Sequence, residues 1–350
     1  MELQITELQP DANDHRGEWQ RYADRAPTAT LFHSLNWMDA VRSSYPHRPH
    51  YLMAWNQGDV VGLFPLFEVR SLLAGRLLVS VPYAVYGGVL CDDQDVADAL
   101  LAEARRIAHR IGARYIDIRS SKARWPDLTS IDRYVTFMRD LPQSVDDVLG
   151  LFPRKARAEV RRARDKFQLS VRFDDAQIET VWRLYSQSMR RLGSPNSPRR
   201  FFRSLLDATP DQHLVSVIYD GRKPVAGLLS FIHGGTVYPY YSGCDHVPAT
   251  RMGANNYLYM TLMEKAVELG VRKFDFGRTR VDNIGSYNFK KNQGFEPTPL
   301  GYQFDMPNGG RVPNLTPSNR KFHFAQQVWK KLPLAITRPL GSWLSASIPG

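Results

Sequence analysis

Two stretches decide the fold: IGARYIDIR at residues 111–119 and LGVRKFDFG at residues 269–277. Gly112 aligns with Gly270, Arg114 with Arg272 and Asp117 with Asp275. Each stretch follows a helical pattern. In the first, Ala97, Leu100, Leu101, Ala104, Ile107, Ala108 and Ile111 make one apolar stripe; in the second, Leu258, Leu262, Ala266 and Leu269 do the same. The glycine after each stripe suits a left-handed C-terminal cap, and the run after it suits a buried strand.

Working outward, further matches keep the same order. Val61-Gly62-Leu63 after a Gly58-Asp59 turn pairs with Ala226-Gly227-Leu228 after an Asp220-Gly221 turn, and Tyr86-Gly87-Gly88 pairs with Tyr241-Ser242-Gly243. Together they indicate an internal duplication. In the second copy the helical face is Ile178, Val181, Trp182, Tyr185 and Met189, with a second short helix over 199–206. Three strands are expected over 213–219, 224–233 and 236–243, then a helix over 253–269 and a strand over 271–276. The expected class is α/β (α+β), a mixed and mostly antiparallel sheet flanked by helices, built twice. The expected division is 1–145, 146–310 and a basic, amphipathic tail over 311–350, with the linker near 140–147.

Composition bounds the reading. Forty-three per cent apolar and 23% charged residues exclude a wholly disordered chain. No apolar run reaches the ~18–20 residues of a membrane span, and the polar, acidic start MELQITELQPDAND is unlike a secretory signal. Cys91 and Cys244 form no CxxC pattern, so neither a disulfide framework nor a cysteine zinc site is expected, and a cytoplasmic setting is. The net charge is +11, unevenly spread: residues 1–145 carry 16 Lys and Arg against 18 Asp and Glu, and residues 146–350 carry 30 against 17. The later half should attract anions.

Four stretches carry candidate chemistry. In FDFGRTRVDNIGSYNFKKNQGFEP (274–297), Asp275 sits within an apolar strand, Gly277 lets the chain leave it sharply, and Arg278, Tyr287, Lys290 and Lys291 follow. In FPRKARAEVRRARDKF (152–167), Ala156, Val160, Ala163 and Phe167 mark an apolar helix face. Arg154, Arg157, Arg161 and Arg164 mark a cationic one suited to phosphates. A solvated helix face explains the same pattern equally well. In LGSPNSP (192–198), Ser197 reads as a helix N-cap before Pro198, and the stiff loop, Ser194 included, could line a cleft. In CDHVPATRMGANN (244–256), Arg251 and Gly253 lie where a helix N-terminus could receive a phosphate. GxSxG, P-loop and HExxH motifs are missing, so a metal centre is not expected. His47 and His50 form HxxH without carboxylates nearby in sequence, and His33 reads as a packed histidine. Tyr83 and Tyr86 in VPYAVYGGVL read as core-strand residues with hydroxyls that could face a cleft.

At these motifs the chain resembles the FemAB-like transferases, which consist of two GNAT-type domains in tandem. It is most similar to FemAB-related proteins associated with exosortase and exopolysaccharide systems. The segments that carry this likeness are FHSLNWMDAV, SYPHRPHYLMAW, GDVVGLFPL and VPYAVYGG in the first half. In the second they are FPRKARAEVRRARDKF, LGSPNSPRRFF, GRKPVAGLLSF, YYSGCD and FDFGRT with YNFKKNQGF. The resemblance implies an acyltransferase that moves an acyl or aminoacyl group from acyl-CoA or aminoacyl-tRNA to an amine, with no permanently bound cofactor. The acceptor it implies is a cell-envelope or exopolysaccharide precursor. It also implies that Lys290 stabilises the oxyanion or anchors the donor, with Lys291 behind it and Asp275 ordering the strand end. Arg278 and the 154–164 arginines would hold phosphates. The charged heptads of the peptidoglycan enzymes' helical arm are absent, and Thr250 and Asn255 flank Gly253 where a CoA pyrophosphate signature would have glycines. The alternative is a degenerate, non-catalytic module that binds tRNA or another polyanion. The tail, with Lys330, Lys331 and Arg338 among Leu332, Leu334, Ile336, Leu340, Trp343 and Leu344, suits either docking on the protein body or an anionic inner-membrane surface. Pro333 and Pro339 interrupt its pattern and favour docking.

Overall fold

The computed structural model describes residues 3–9, 11–306 and 320–348. Along the chain the first elements are β1 (Leu3–Glu7), α1 (Asn13–Arg25), α2 (Leu35–Ser44), β2 (Arg48–Pro49), β3 (Leu52–Asn56), β4 (Asp59–Phe64), β5 (Phe67–Ser71), β6 (Gly75–Val79), α3 (Gln94–Ile111), β7 (Ile116–Ile118) and β8 (Thr129–Ser130). Next come β9 (Tyr134–Asp140), α4 (Arg154–Arg161), β10 (Ser170–Phe173), α5 (Ile178–Leu192), α6 (Arg199–Ala208), β11 (His213–Asp220), β12 (Lys223–His233) and β13 (Thr236–Cys244). They are followed by α7 (His246–Met252), α8 (Ala254–Glu268), β14 (Lys273–Asp275), β15 (Thr279–Arg280), α9 (Ile284–Asn292), β16 (Pro297–Pro299), β17 (Gln303–Asp305), α10 (Arg320–Lys331) and α11 (Leu334–Ser345).

These elements form two compact units. The first takes the chain up to Asp132 together with 300–306 and 343–348; the second takes Arg133–Pro299 and 320–342. The sequence placed the boundary near 140–147. It falls earlier because β9 runs in the second unit's sheet, antiparallel to β14, while β17 runs in the first unit's sheet, antiparallel to β7. Each sheet is therefore completed by a strand from the other half of the sequence.

Within the first unit, β5 and β6 are antiparallel and β6 and β7 parallel; within the second, β12 and β13 are antiparallel and β13 and β14 parallel. This is the duplication read from residues 111–119 and 269–277. The antiparallel pair β3 with β4 lies in a separate three-stranded sheet with β1, whereas β11 pairs with β12 inside the second unit's main sheet. Gly112 and Gly270 both adopt the left-handed region, φ 65° and 76°, and end α3 and α8. The α3 stripe packs under the first sheet, with Ala97, Leu100, Ala104, Ile107 and Ala108 fully buried. Burying each such leucine or isoleucine contributes ~1.5–3 kcal/mol. In the second unit α8 buries Leu258, Leu262, Met263 and Ala266 against β12 and β13, whereas α5 covers the same strands through Val181 and Leu184. Gly243 makes that second contact close, because a Cβ there would lie 2.2 Å from the Tyr185 nitrogen.

One sequence expectation fails in the first unit. Tyr83 and Tyr86 are not strand residues: β6 stops at Val79, and Val81 and Tyr83 take φ of 50° and 61°. The reason is Arg119, which sequence reading missed. Its buried guanidinium pairs with Asp117 at 2.9 Å and donates to the carbonyls of Val81 and Ala84, so the backbone wraps around it. Tyr83 is held there by His47, at 2.8 Å, and stacks on Tyr45; Tyr86 packs against Phe32. His33 is buried against Thr30 and the Gly88 carbonyl, as a packed histidine should be. His50 does have a carboxylate, Glu7 on β1 at 2.9 Å.

Candidate active site

The site grows from the parallel pair β13 and β14. The two strands share only the pairs Thr236 with Lys273 and Val237 with Phe274; β13 then runs on to Cys244 while β14 ends at Asp275. The strands therefore separate. Tyr259 of α8 lies at that separation, with its ring 4.9 Å from Phe276 and its hydroxyl bonded to Ser242 of β13.

Asp275 is buried at the end of β14. Its Oδ1 accepts from the Thr136 hydroxyl on β9 at 2.6 Å and from the Gly277 backbone N–H at 2.8 Å. Gly277, with φ 66°, turns the chain out of the sheet. After the short β15 the chain enters α9, capped by the Asn283 side chain, which accepts from Ser286 N at 3.3 Å. This helix directs Lys290 back under the strand end. The Lys290 Nζ donates to the carbonyls of Phe276 at 2.9 Å and Gly277 at 3.0 Å, and lies 5.6 Å and 5.4 Å from the Phe137 and Phe276 ring centroids. Only 8% of the residue is exposed. Burial pulls its pKa from 10.5 down to about 7, with the Asp275 charge opposing. An ammonium has three N–H groups, and two carbonyls take two of them, so one remains to be offered to a substrate oxygen.

Tyr287, on the same helix, packs its ring 5.3 Å from Phe137. Arg278 lies with its guanidinium 4.8 Å over the Tyr134 ring. The structure thus brings together Asp275, Tyr287, Arg278 and Lys290. Lys291, next to it on the helix, is exposed. Thr136, Phe137 and Tyr259 complete the site and were not legible: the first two arrive on the exchanged strand β9.

The other candidates fall elsewhere. On α4, Ala156, Val160 and Ala163 are buried as expected, but the helix passes into a π-turn over Arg162–Lys166. Arg164 pairs with Asp165 at 2.8 Å, and Arg162 pairs with Glu159. Arg154 and Arg161 are exposed and Arg157 half-buried, with no ion pair among the described residues. Gly253 does not present a phosphate cradle. It has φ 72° and lies against α4, where an added Cβ would meet the Glu159 carbonyl at 2.6 Å and its carboxylate at 3.1 Å. A carbonyl and a carboxylate at that helix start disfavour an anion. Arg251 is exposed one turn earlier. Ser194 closes α5 by donating its N–H to Met189 O at 2.9 Å, and its loop is covered by the tail: Gly193 lies against Gln326, and Asn196 donates to the Arg338 carbonyl. Ser197 is not the cap of α6. Pro198 occupies that place, and Ser197 instead receives the Trp182 indole N–H on its carbonyl at 3.1 Å. Tyr83 and Tyr86 belong to the first unit.

Residues 154–291 match the family model described as an acetyltransferase (GNAT) domain. Solved structures share the fold over most of the chain. The crystal structure of FemX superposes with a TM-score of 0.64 at 15% identity over 86% of this chain and 96% of that one. A tandem GNAT protein from the clavulanic acid biosynthesis pathway gives 0.55 at 13% over 89% and 100%. L-PGS from Bacillus licheniformis gives 0.51 at 13% over 90% and 97%. No curated protein matches by sequence. The fold is that of the tandem GNAT-like proteins, and the family match supports a transferase. No helix among the described residues is long and apolar enough to cross a membrane.

Proposed function

We propose that this protein is an N-acyl- or aminoacyltransferase of the FemAB-like kind, acting at the end of β14 in its second unit. The observation that carries this reading is the Lys290 ammonium. It is buried, clamped by two carbonyls, and placed within the segment that matches an acetyltransferase domain. Burying the charged form of such a group costs the fold stability, which marks Lys290 as a functional-site candidate.

In the proposed reaction a neutral amine attacks the carbonyl carbon of a thioester or ester. The carbonyl electrons move onto oxygen, and the remaining Lys290 N–H donates to that oxyanion. Collapse re-forms the carbonyl and expels the thiolate of CoA or the ribose hydroxyl of an aminoacyl-tRNA, while the attacking nitrogen loses its proton to solvent or the leaving group. Asp275, held by Thr136 and Gly277, keeps the strand end and its carbonyls in place for the lysine. Arg278 and the exposed arginines of α4 would hold donor or acceptor phosphates. Acyl-CoA is the donor that an acetyltransferase domain suggests; aminoacyl-tRNA is the donor that the FemAB resemblance suggests. The acceptor proposed is an amine on a cell-envelope or exopolysaccharide precursor.

The test is amine acylation with each donor class in turn, alongside mass spectrometry of ligands that copurify. Transfer from one donor, lost in Lys290→Ala with the thermal melt retained, is the expected result. Binding of tRNA without turnover of any donor would instead favour a non-catalytic polyanion module.

A further inference from the structure

Arg139 lies on β9 two residues beyond Phe137, so the two side chains leave the same face of the strand. Phe137 puts its ring 5.6 Å from the Lys290 Nζ. Arg139 lies half-buried farther along that face. Its Nη1 donates to the Leu151 carbonyl at 3.0 Å and to the Gly294 carbonyl at 3.2 Å, and its guanidinium carbon lies 5.2 Å over the Phe295 ring. Burial pushes its pKa down, and no carboxylate among the described residues offsets that. An apolar side chain would pack on Phe295 without this cost, so what the guanidinium adds is the pair of directed bonds.

Each of these contacts bears on Lys290. Gly294 follows the end of α9, the helix that carries the lysine, and turns the chain there with φ 85°. A Cβ on Gly294 would lie 3.1 Å from the Leu151 carbonyl oxygen and from the Pro153 Cδ, and 3.2 Å from the Arg139 Nη1. The end of α9, the start of α4 and the guanidinium therefore meet at one point. A cation suits the carbonyls left at a helix C-terminus. Phe295, under the guanidinium, packs its ring 4.7 Å from Phe276, whose carbonyl takes one Lys290 N–H at 2.9 Å.

We propose that Arg139 is a positioning residue: by fastening the end of α9 to the start of α4 it fixes the Lys290 Nζ at the end of β14. This rests on the reading of Lys290 as the oxyanion donor. Arg139 touches no reacting atom in this account, because both Nη1 hydrogens go to backbone carbonyls. It acts through the lysine. Without the two bonds the end of α9 is free to shift, and the Nζ moves with it, out of its enclosure and into water.

The experiment compares Arg139→Met and Arg139→Lys with wild type in the full chain, with thermal melts to check folding. The Lys290 titration is followed by NMR of protein carrying isotope-labelled lysine, assigned with Lys290→Met, and needs no donor. Transfer is measured with acetyl-CoA or aminoacyl-tRNA, whichever is turned over. In Arg139→Met the titration should move from about 7 by about one unit toward the ordinary 10.5, as water reaches the Nζ. Its kcat should fall ~100-fold, the loss expected of a displacement of ~1 Å, with KM within about threefold of wild type. Arg139→Lys, which keeps the charge and loses the fork, should fall between the two, and it alone is read if the methionine variant does not fold. Added to Lys290→Met, Arg139→Met should cost less than about twofold more, because the residue it serves is already gone. A folded variant with the Lys290 titration and kcat of wild type would overturn the inference. So would a raised KM at unchanged kcat, which would make Arg139 a substrate contact, or fully additive losses in the double variant. A shifted titration in a protein that transfers from neither donor would uphold the placing of Lys290 by Arg139 and remove the transferase reading instead.

Discussion

Lys290→Met keeps the shape of the side chain and removes its charge, so it separates stability from function. In the fold Lys290 titrates at about 7, against 10.5 ordinarily. Below pH 7 the ammonium therefore costs the folded state roughly 5 kcal/mol relative to the unfolded one, at about 1.4 kcal/mol per pH unit. Methionine removes that cost and forfeits the bonds to the Phe276 and Gly277 carbonyls, at about 1 kcal/mol each. The variant should gain ~2–3 kcal/mol at pH 6, or roughly 5–10 °C in Tm for a unit of this size. The sign depends on pH. Between about 7 and 10.5 the unfolded lysine keeps its proton and the folded one loses it, so wild-type stability rises through that window. The advantage of methionine should shrink across it and become a deficit of about 2 kcal/mol at its upper end. Transfer should fall at least ~100-fold throughout, the loss expected for one oxyanion donor. Urea melts at pH 6, 8 and 10, paired with an acylation assay, read both effects. A methionine variant less stable than wild type at pH 6, or one that still transfers at near the wild-type rate, would refute the reasoning.

With an acceptor whose amine is already neutral at pH 6, transfer by the wild-type protein should decline as pH rises through about 7, because the ammonium is the acting form; a kcat profile that only climbs to pH 9 with that acceptor would make the neutral amine a base instead. Thr136→Val removes the 2.6 Å bond to Asp275 and should lower the urea midpoint by an amount equivalent to about 1–3 kcal/mol, with kcat reduced as well. Gly243→Ala should destabilise the second unit by about 3 kcal/mol or prevent its folding, since the new Cβ meets α5 backbone, and circular dichroism melts would show it. Arg157→Gln and Arg161→Gln should each weaken binding of a polyanion such as tRNA and reduce the slope of log K against log salt by about one, measured by filter binding.

The repeat was legible because it is written in local signals. Helix stripes, turn residues and the left-handed Gly112 and Gly270 all act over a few residues, and the strands β11, β12 and β13 fall within a residue or two of their expected limits. What escaped depends on long-range pairing. Nothing near Thr136 or Phe137 indicates that β9 completes the second sheet, so the domain limit moved and two residues of the site were missed. The path of residues 80–88 escaped for a similar reason: Arg119 lies more than thirty positions away and dictates the backbone from inside. The helix start at Gly253 looked open because a neighbour in space, Glu159, cannot be read from the local motif. Lys290 was found by resemblance to the Phe-Lys pattern, whereas its carbonyl clamp and lowered pKa belong to the folded structure alone.

A crystal structure with a non-hydrolysable acyl-CoA or aminoacyl-nucleoside analogue would bear most directly on the proposed chemistry. The reactive carbonyl oxygen should lie within about 3 Å of the Lys290 Nζ, near the end of β14. An analogue seated away from that strand end, with Lys290 still enclosed by its two backbone carbonyls, would contradict it.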